Sequence, residues 1–192
     1  ITLDEGDELA WVKMTKGNDD IIVATKKGMS IRFNENDARP IGRTARGVKA
    51  IELAEGDEVI GVATVEEGKT ILTVSETGFG RISDFDNYRV QSRGGKGLIN
   101  YHTEKNGDVA AVTSVSDDND IILISSDGII IRIPADGISK FARPSKGVRV
   151  MRVSEGEKIV TLTPVEKDEE EETPTEETVE GETEENKETN ES

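Results

Sequence analysis

A pattern that returns about every 50 residues runs through the first 165 positions, and it restricts the fold more than any other feature of the chain. Three landmarks recur in one register. GDELAWVKM, opening at Gly6, returns as GDEVIGVAT at Gly56, more loosely as GDVAAVTSV at Gly107, and as GEKIVTLTP at Gly156. Mid-repeat stand IIVATKKGMSIRF (21–33), ILTVSETGFGRIS (71–83) and IILISSDGIIIRI (121–133), which align Gly28, Gly78 and Gly128. The third landmark is RTARGVKAIEL (43–53), RGGKGLINY (93–101) and RPSKGVRVMRV (143–153), aligning Gly47, Gly97 and Gly147.

The apolar runs are short, rich in Ile and Val, and bounded by Gly, Asp and Asn, which predicts strands rather than helices. TKKG, SETG and SSDG read as hairpin connections, a type I turn closed by a glycine at positive φ. Each hairpin should form the buried centre of a blade, flanked by the GDE strand and the GVK strand. The expected fold class is therefore all-β: a propeller-like partial ring of about three four-stranded blades. One blade cannot bury both of its faces, so neighbours must stack. The repeats are bounded at about 6–55, 56–106 and 107–155, with 156–165 adding a closing strand to its neighbour. Residues 1–3 resemble the end of a previous copy, so the chain is read as an excised half of a larger ring or spiral with one blade face left exposed.

Charge has to be partitioned before it is used. The formal net charge is −16, but residues 166–192 hold 14 of the 40 Asp and Glu against Lys167 and Lys187, leaving 1–165 at only −4. The tail has one large aliphatic residue, Val179, and no aromatic residue, too little to offset the entropy of ordering it, so it is expected to be disordered. The absence of Cys and the single His, His102, leave neither a disulfide framework nor a Cys/His metal site. No EF-hand spacing organises the acids, which read as solvated turn and tail residues. No apolar stretch is long enough to span a bilayer and no signal-peptide pattern appears, so no membrane association and a cytoplasmic location are expected.

Catalytic chemistry finds no constellation here. There is no Gly-x-Ser-x-Gly elbow, and the Gly-rich QSRGGKG lacks the spacing and the Ser or Thr of a nucleotide-binding loop. His102 reads as a partly exposed structural residue near a strand end, and Trp11 and Phe33 as core or inter-blade packing. No catalytic residue, metal or cofactor is assigned to this chain.

What repeats instead is a basic, nearly acid-free loop ahead of each third-landmark glycine. It carries Arg39, Arg43, Arg46 and Lys49 in copy one, Arg89, Arg93 and Lys96 in copy two, and Lys140, Arg143, Lys146, Arg149 and Arg152 in copy three. Equivalent positions on radially related blades fall on one rim, so these bases should form a curved stripe matched to a phosphate backbone. Lys and Arg would release condensed counterions, while Gly94, Gly95 and Gly97 would keep side chains out of the way and leave N–H groups available. Base-edge readout is not implied; any preference would come from how easily a sequence bends.

The GDE openings, the hairpin glycines and above all Gln91, Ser92, Arg93, Gly94, Gly95, Lys96 and Gly97 resemble the C-terminal domain of DNA gyrase A. The acidic tail fits as well. The resemblance covers 1–165 and implies a β-pinwheel, a ring of about six blades that exchange strands and bend double-stranded DNA around a basic rim in support of ATP-dependent negative supercoiling. It also implies as partners the rest of gyrase A and its companion gyrase B, in an A2B2 heterotetramer in the bacterial cytoplasm. The family's box is usually QRRGGRG or QRRGGKG in the first blade, whereas here Ser92 departs from it in the second copy; the full box is expected upstream of Ile1. The catalytic tyrosine and the ATP site of that family would lie outside this chain, so neither Tyr88 nor Tyr101 is assigned as a nucleophile.

Two other readings stay open on sequence grounds: the corresponding domain of topoisomerase IV, and a propeller scaffold for proteins, which predicts an apolar rim and salt-insensitive binding. The tail is read either as a solubilising extension or as a polyanion that competes with DNA for the basic loops.

Overall fold

The computed structural model describes residues 1–167. Eleven strands are found there: β1 (Asp20–Thr25), β2 (Met29–Asn34), β3 (Val59–Thr64), β4 (Thr70–Ser75), β5 (Phe79–Ser83), β6 (Leu98–Ile99), β7 (Val109–Val115), β8 (Asn119–Ser125), β9 (Ile130–Pro134), β10 (Val148–Arg149) and β11 (Ile159–Glu166). They form antiparallel sheets in the orders β3-β1-β2-β6, β10-β5-β4-β7 and β11-β8-β9. The hairpins β1–β2, β4–β5 and β8–β9 stand where the mid-repeat landmarks put them. Each turn is closed by the glycine N–H bonding to the carbonyl three residues back, from Gly28 to Thr25, Gly78 to Ser75 and Gly128 to Ser125, all at 3.0 Å. The three glycines sit at φ +86°, +85° and +83°, the left-handed geometry that a G1 bulge requires.

The flanking strands do not come from the copy that owns the hairpin. Hairpin β1–β2 of copy one is completed on one side by β3 and on the other by β6, both from copy two; β4–β5 is likewise completed by β7 and β10 of copy three. The blades therefore exchange strands. A strand bulge recurs at the same place in each sheet, at Ala24/Thr25, Val74/Ser75 and Ile159/Thr161, so register is kept from blade to blade. β3 packs on β7 and β7 on β11, which gathers these three edges at the hub and turns β6 and β10 outward to the rim.

This shifted frame corrects the expectation for the first copy. The 6–14 segment, equivalent to β3 and β7, forms no strand because no hairpin lies beside it to supply ladder bonds, and Leu9, Val12 and Met14 are exposed. Trp11 shares that fate at 40% exposure rather than packing in a core, whereas Phe33 is buried. At the other end β9 has no outer neighbour, so the third sheet has three strands among the described residues. His102 does not end a strand: it caps a one-turn helix, α1 (Thr103–Asn106), and is exposed. β11 runs one residue past the expected boundary, to Glu166, and Lys167 reaches Asp136 at 2.8 Å. The rest of the acidic tail, and its expected disorder, lie outside the described residues.

Strand alternation sends successive side chains to opposite faces, and the cores lie between blades. Ile22, Ala24, Ala63, Ile71, Val109 and Val112 fill the space between the first and second sheets. Leu72, Val74, Ile121, Leu123, Met151 and Ile159 fill that between the second and third. Each fully buried Ile or Leu contributes on the order of 1.5–3 kcal/mol, available only when the neighbouring blade is present.

Candidate nucleic-acid interface

The basic loops of copies two and three run along the outer strand of the preceding hairpin. Gln91 N–H donates to Arg32 O and Phe141 N–H to Ile82 O, both at 2.8 Å, and parallel bridges join Arg32 with Val90 and Ile82 with Lys140. Each loop then turns at its glycine and enters the two-residue rim strand. A Cβ at Gly97 would overlap the Ser30 carbonyl, and one at Gly147 the Gly80 carbonyl, so the third-landmark glycines permit a close backbone approach.

The loops are also tied to one another. Arg93 donates from Nε to Asp37 O (2.8 Å) and from Nη1 to Lys49 O (2.9 Å). Arg143 does the same one repeat later, to Asn87 O (2.5 Å) and Ile99 O (2.9 Å). Both arginines are half-buried, and their planar forks join loop one to loop two and loop two to loop three. The sequence marks them only as rim charges; in the folded chain two of the nitrogens on each serve as inter-blade stitches. Gly94 departs from expectation similarly, since its N–H is taken by Ala50 O at 2.6 Å.

The remaining bases sort by their partners. Arg39, Arg43, Lys49, Arg89, Lys96 and Lys140 are exposed and make no ion pair among the described residues. Arg46 pairs with Asp4 at 2.8 Å, both side chains well exposed, a contact that water and salt largely screen. Lys146 Nζ lies 3.6 Å and the Arg149 guanidinium carbon 4.4 Å from the centre of the Phe79 ring, inside cation–π range. The apolar side chains of Ile41, Val48, Val90, Ile99 and Phe141 are exposed among the cations. Other arginines that the sequence shows equally plainly are committed elsewhere: Arg32 to Asp20 at 2.8 Å, Arg132 to Asp120 at 2.7 Å, and Arg81 to the interior.

No group of three or more His, Cys, Asp or Glu side chains among the described residues could hold a metal ion, and no described helix is long and apolar enough to cross a membrane, which says nothing of spanning strands. The geometry is that of a cation-bearing rim stitched blade to blade.

A family model described as DNA gyrase C-terminal domain, beta-propeller, matches residues 19–66, 69–116 and 119–166. The chain belongs to that family. The matched segments are the structural units seen here, each running from the first strand of a hairpin through the hub strand that completes it. The chain is 40% identical over 176 residues to DNA gyrase A of Staphylococcus aureus (strain NCTC 8325 / PS 47), covering 90% of this chain and 20% of that protein. It is 40% identical over 168 residues to DNA gyrase A of Staphylococcus epidermidis (strain ATCC 12228 / FDA PCI 1200), covering 86% and 19%. The gyrase C-terminal domain chain thus spans about a fifth of the length of these relatives. A solved DNA gyrase A C-terminal domain superposes with a TM-score of 0.70 at 29% identity, over 77% of this chain and 50% of that one. The C-terminal domain of DNA topoisomerase IV superposes with 0.73 at 21% identity, over 78% and 47%, a likeness of fold alone.

Proposed function

We propose that this gyrase C-terminal domain chain binds duplex DNA along the row of basic loops and bends it around the rim. On this reading it is a non-catalytic wrapping module for negative supercoiling, working within an assembly that holds the rest of gyrase A together with gyrase B. What carries the reading is the pair of stitches from Arg93 and Arg143, which join three loops bearing unpaired cations into one continuous row. Smooth bending of a short duplex costs about 1–6 kcal/mol, so contacts from several loops are required before a wrap is favourable. Exposed Arg39, Arg89, Lys96 and Lys140 supply phosphate contacts from three separate loops, and the body between them is close to neutral once the tail is set aside. Gyrase A is favoured over topoisomerase IV by relatives at 40% identity.

The test is duplex-DNA affinity of the 192-residue chain as a function of salt. Each phosphate contact adds about 0.9 to the log–log slope, so Arg89→Ala, Lys96→Ala and Lys140→Ala should each flatten it by about one unit. Binding to DNA that ignores salt, or that survives the triple substitution unchanged, would overturn the reading and favour a scaffold that docks proteins through Ile41, Val90 and Phe141.

A further inference from the structure

The middle copy carries a buried polar cluster that the other two copies lack. Thr73, Arg81, Ser83, Tyr88 and Asn100 are all at most 1% exposed. Their counterparts at the 50-residue period are Val23, Ile31, Phe33, Ala38 and Ala50 in copy one, and Leu123, Ile131, Ile133, Ile138 and Val150 in copy three. Five positions that are apolar in both neighbours have changed together.

Arg81 is the centre of this cluster. Its Nη1 donates to Ser83 Oγ (2.8 Å), and its Nη2 to the Asn100 carbonyl and to Asn100 Oδ1 (2.9 Å); Tyr88 donates to the same Oδ1 at 2.7 Å. No carboxylate pairs with Arg81 among the described residues, so a fully buried guanidinium is held by neutral oxygens alone. Such a charge is costly to desolvate, and replacing a buried ionic group with well-packed apolar residues is often neutral or stabilising, so core stability gives no reason for copy two to keep it.

Its contacts suggest what it is kept for. Arg81 Nε donates to Ser145 O (3.0 Å), Ser83 Oγ to Phe141 O (2.5 Å), and Tyr101 Oη to Lys146 O (3.2 Å). Three buried side chains thus grip three carbonyls of the basic loop of copy three. At the three corresponding positions copy one has Ile31, Phe33 and Ile51, which cannot donate, and its side-chain hold on the approach to loop two lies before residues 91–97, from Arg32 Nη1 to Phe85 O (2.9 Å) and Tyr88 O (3.2 Å). On the solvent side Phe79 fixes Lys146 and Arg149 over its ring, where copy one offers Met29 beside Lys96.

We infer that Arg81, with Ser83, Tyr101 and Phe79, is a positioning hub that presets loop three, so that Lys146 and Arg149 meet the DNA backbone already ordered. The inference rests on the DNA-rim reading and assigns it an uneven rim: loop three is the anchoring contact, and the box-like loop 91–97 is a looser one. Ordering a long cationic side chain normally opposes binding, and at this loop that ordering is complete before DNA arrives.

Duplex affinity is measured against salt for the full chain and four variants: Phe79→Met, Phe79→Tyr, Arg81→Met, and Lys146→Ala with Arg149→Ala. The double variant removes two charges and should flatten the log–log slope by about 1.8 units. Phe79→Met keeps the charges and the packing volume but loses the ring face, so affinity should fall about five- to tenfold at every salt concentration with the slope unchanged. Phe79→Tyr should restore wild-type affinity, a separation that a purely structural role for residue 79 would not produce. Arg81→Met should match Phe79→Met, and if it fails to fold, the Phe79 pair decides. Should the double variant leave the slope unchanged, the rim reading itself falls. Should it flatten the slope while Phe79→Met binds within twofold of wild type, or more tightly, the rim stands and the hub is wrong.

Discussion

Gly78 and Gly128 occupy the same turn in successive blades with nearly the same φ, yet they differ in what lies beside them, and Ala at each position separates two energies. At Gly128, φ is +83° and nothing lies within 4 Å of the point a Cβ would occupy, since β9 has no outer neighbour among the described residues. Ala there meets only the left-handed backbone penalty of roughly 1–2 kcal/mol, offset by about 0.4–1 kcal/mol from a less flexible unfolded chain. The net loss should be on the order of 1 kcal/mol. At Gly78 the same terms apply, but a Cβ would overlap the Met151 carbonyl and push β10 away from β5. Val150 N–H and Met151 N–H then lose Gly78 O, their acceptor at 2.9 and 3.2 Å. Two backbone bonds at about 1 kcal/mol each, with partial exposure of Met151, bring the expected total to about 3 kcal/mol or more. Urea unfolding of the two variants, with hydrogen exchange read at Val150 and Met151, measures the difference. Equal destabilisation, or unchanged exchange at those amides in Gly78→Ala, would refute the docking account.

Arg143→Ala and Arg93→Ala should each cost about 1 kcal/mol, since two charge-assisted bonds to carbonyls are lost at half-exposed sites, and Lys should not rescue either because it has no fork; thermal unfolding checks both. Burial raises the Tyr101 phenol above its ordinary value of 10.0, against hydrogen bonding from Ser75 and the Arg81 charge, which lower it. The neutral phenol is therefore favoured by folding: the stability it adds is present below pH 10 and lost as pH rises through the raised value, which an ultraviolet titration compared with Tyr101→Phe will show. The Glu35 carboxylate is held below 4.5, first by the Asp19 N–H, then by the Thr15 hydroxyl and the Gly17 N–H. Its hold on residues 15–19 is present above that ordinary value and lost as pH falls through the lowered one, so protection of the Gly17 and Asp19 amides should collapse in acid, and Glu35→Gln should remove that pH dependence.

The hairpins were legible because their information is local: an apolar run, a turn with its glycine, and a second apolar run within 13 residues. The flanking strands were not, because a periodic sequence looks the same when shifted by one period. GDE at Gly6 and GDE at Gly56 are equally good neighbours for β1 until the fold chooses the later one. Charge on the basic loops could be read directly, but not where its nitrogens point, so Arg93 and Arg143 look like Arg89 until the carbonyls they grip are seen. The polar cluster around Arg81 could have been found by reading the three copies in columns, where Arg against Ile and Ile, and Asn against Ala and Val, stand out.

Strand exchange also sets a timetable. β2 finds its rim partner only at Leu98 and Ile99, roughly 70 positions later, so at synthesis rates of about 5–20 residues per second the first hairpin waits some 4–14 s for its outer edge to be covered. During that interval the edge is an open template for pairing with another chain, and the brevity of the rim strand, two residues wide, limits what an intruder could hold. Each copy is finished by the next, so the nascent chain closes one exposed edge as it opens another.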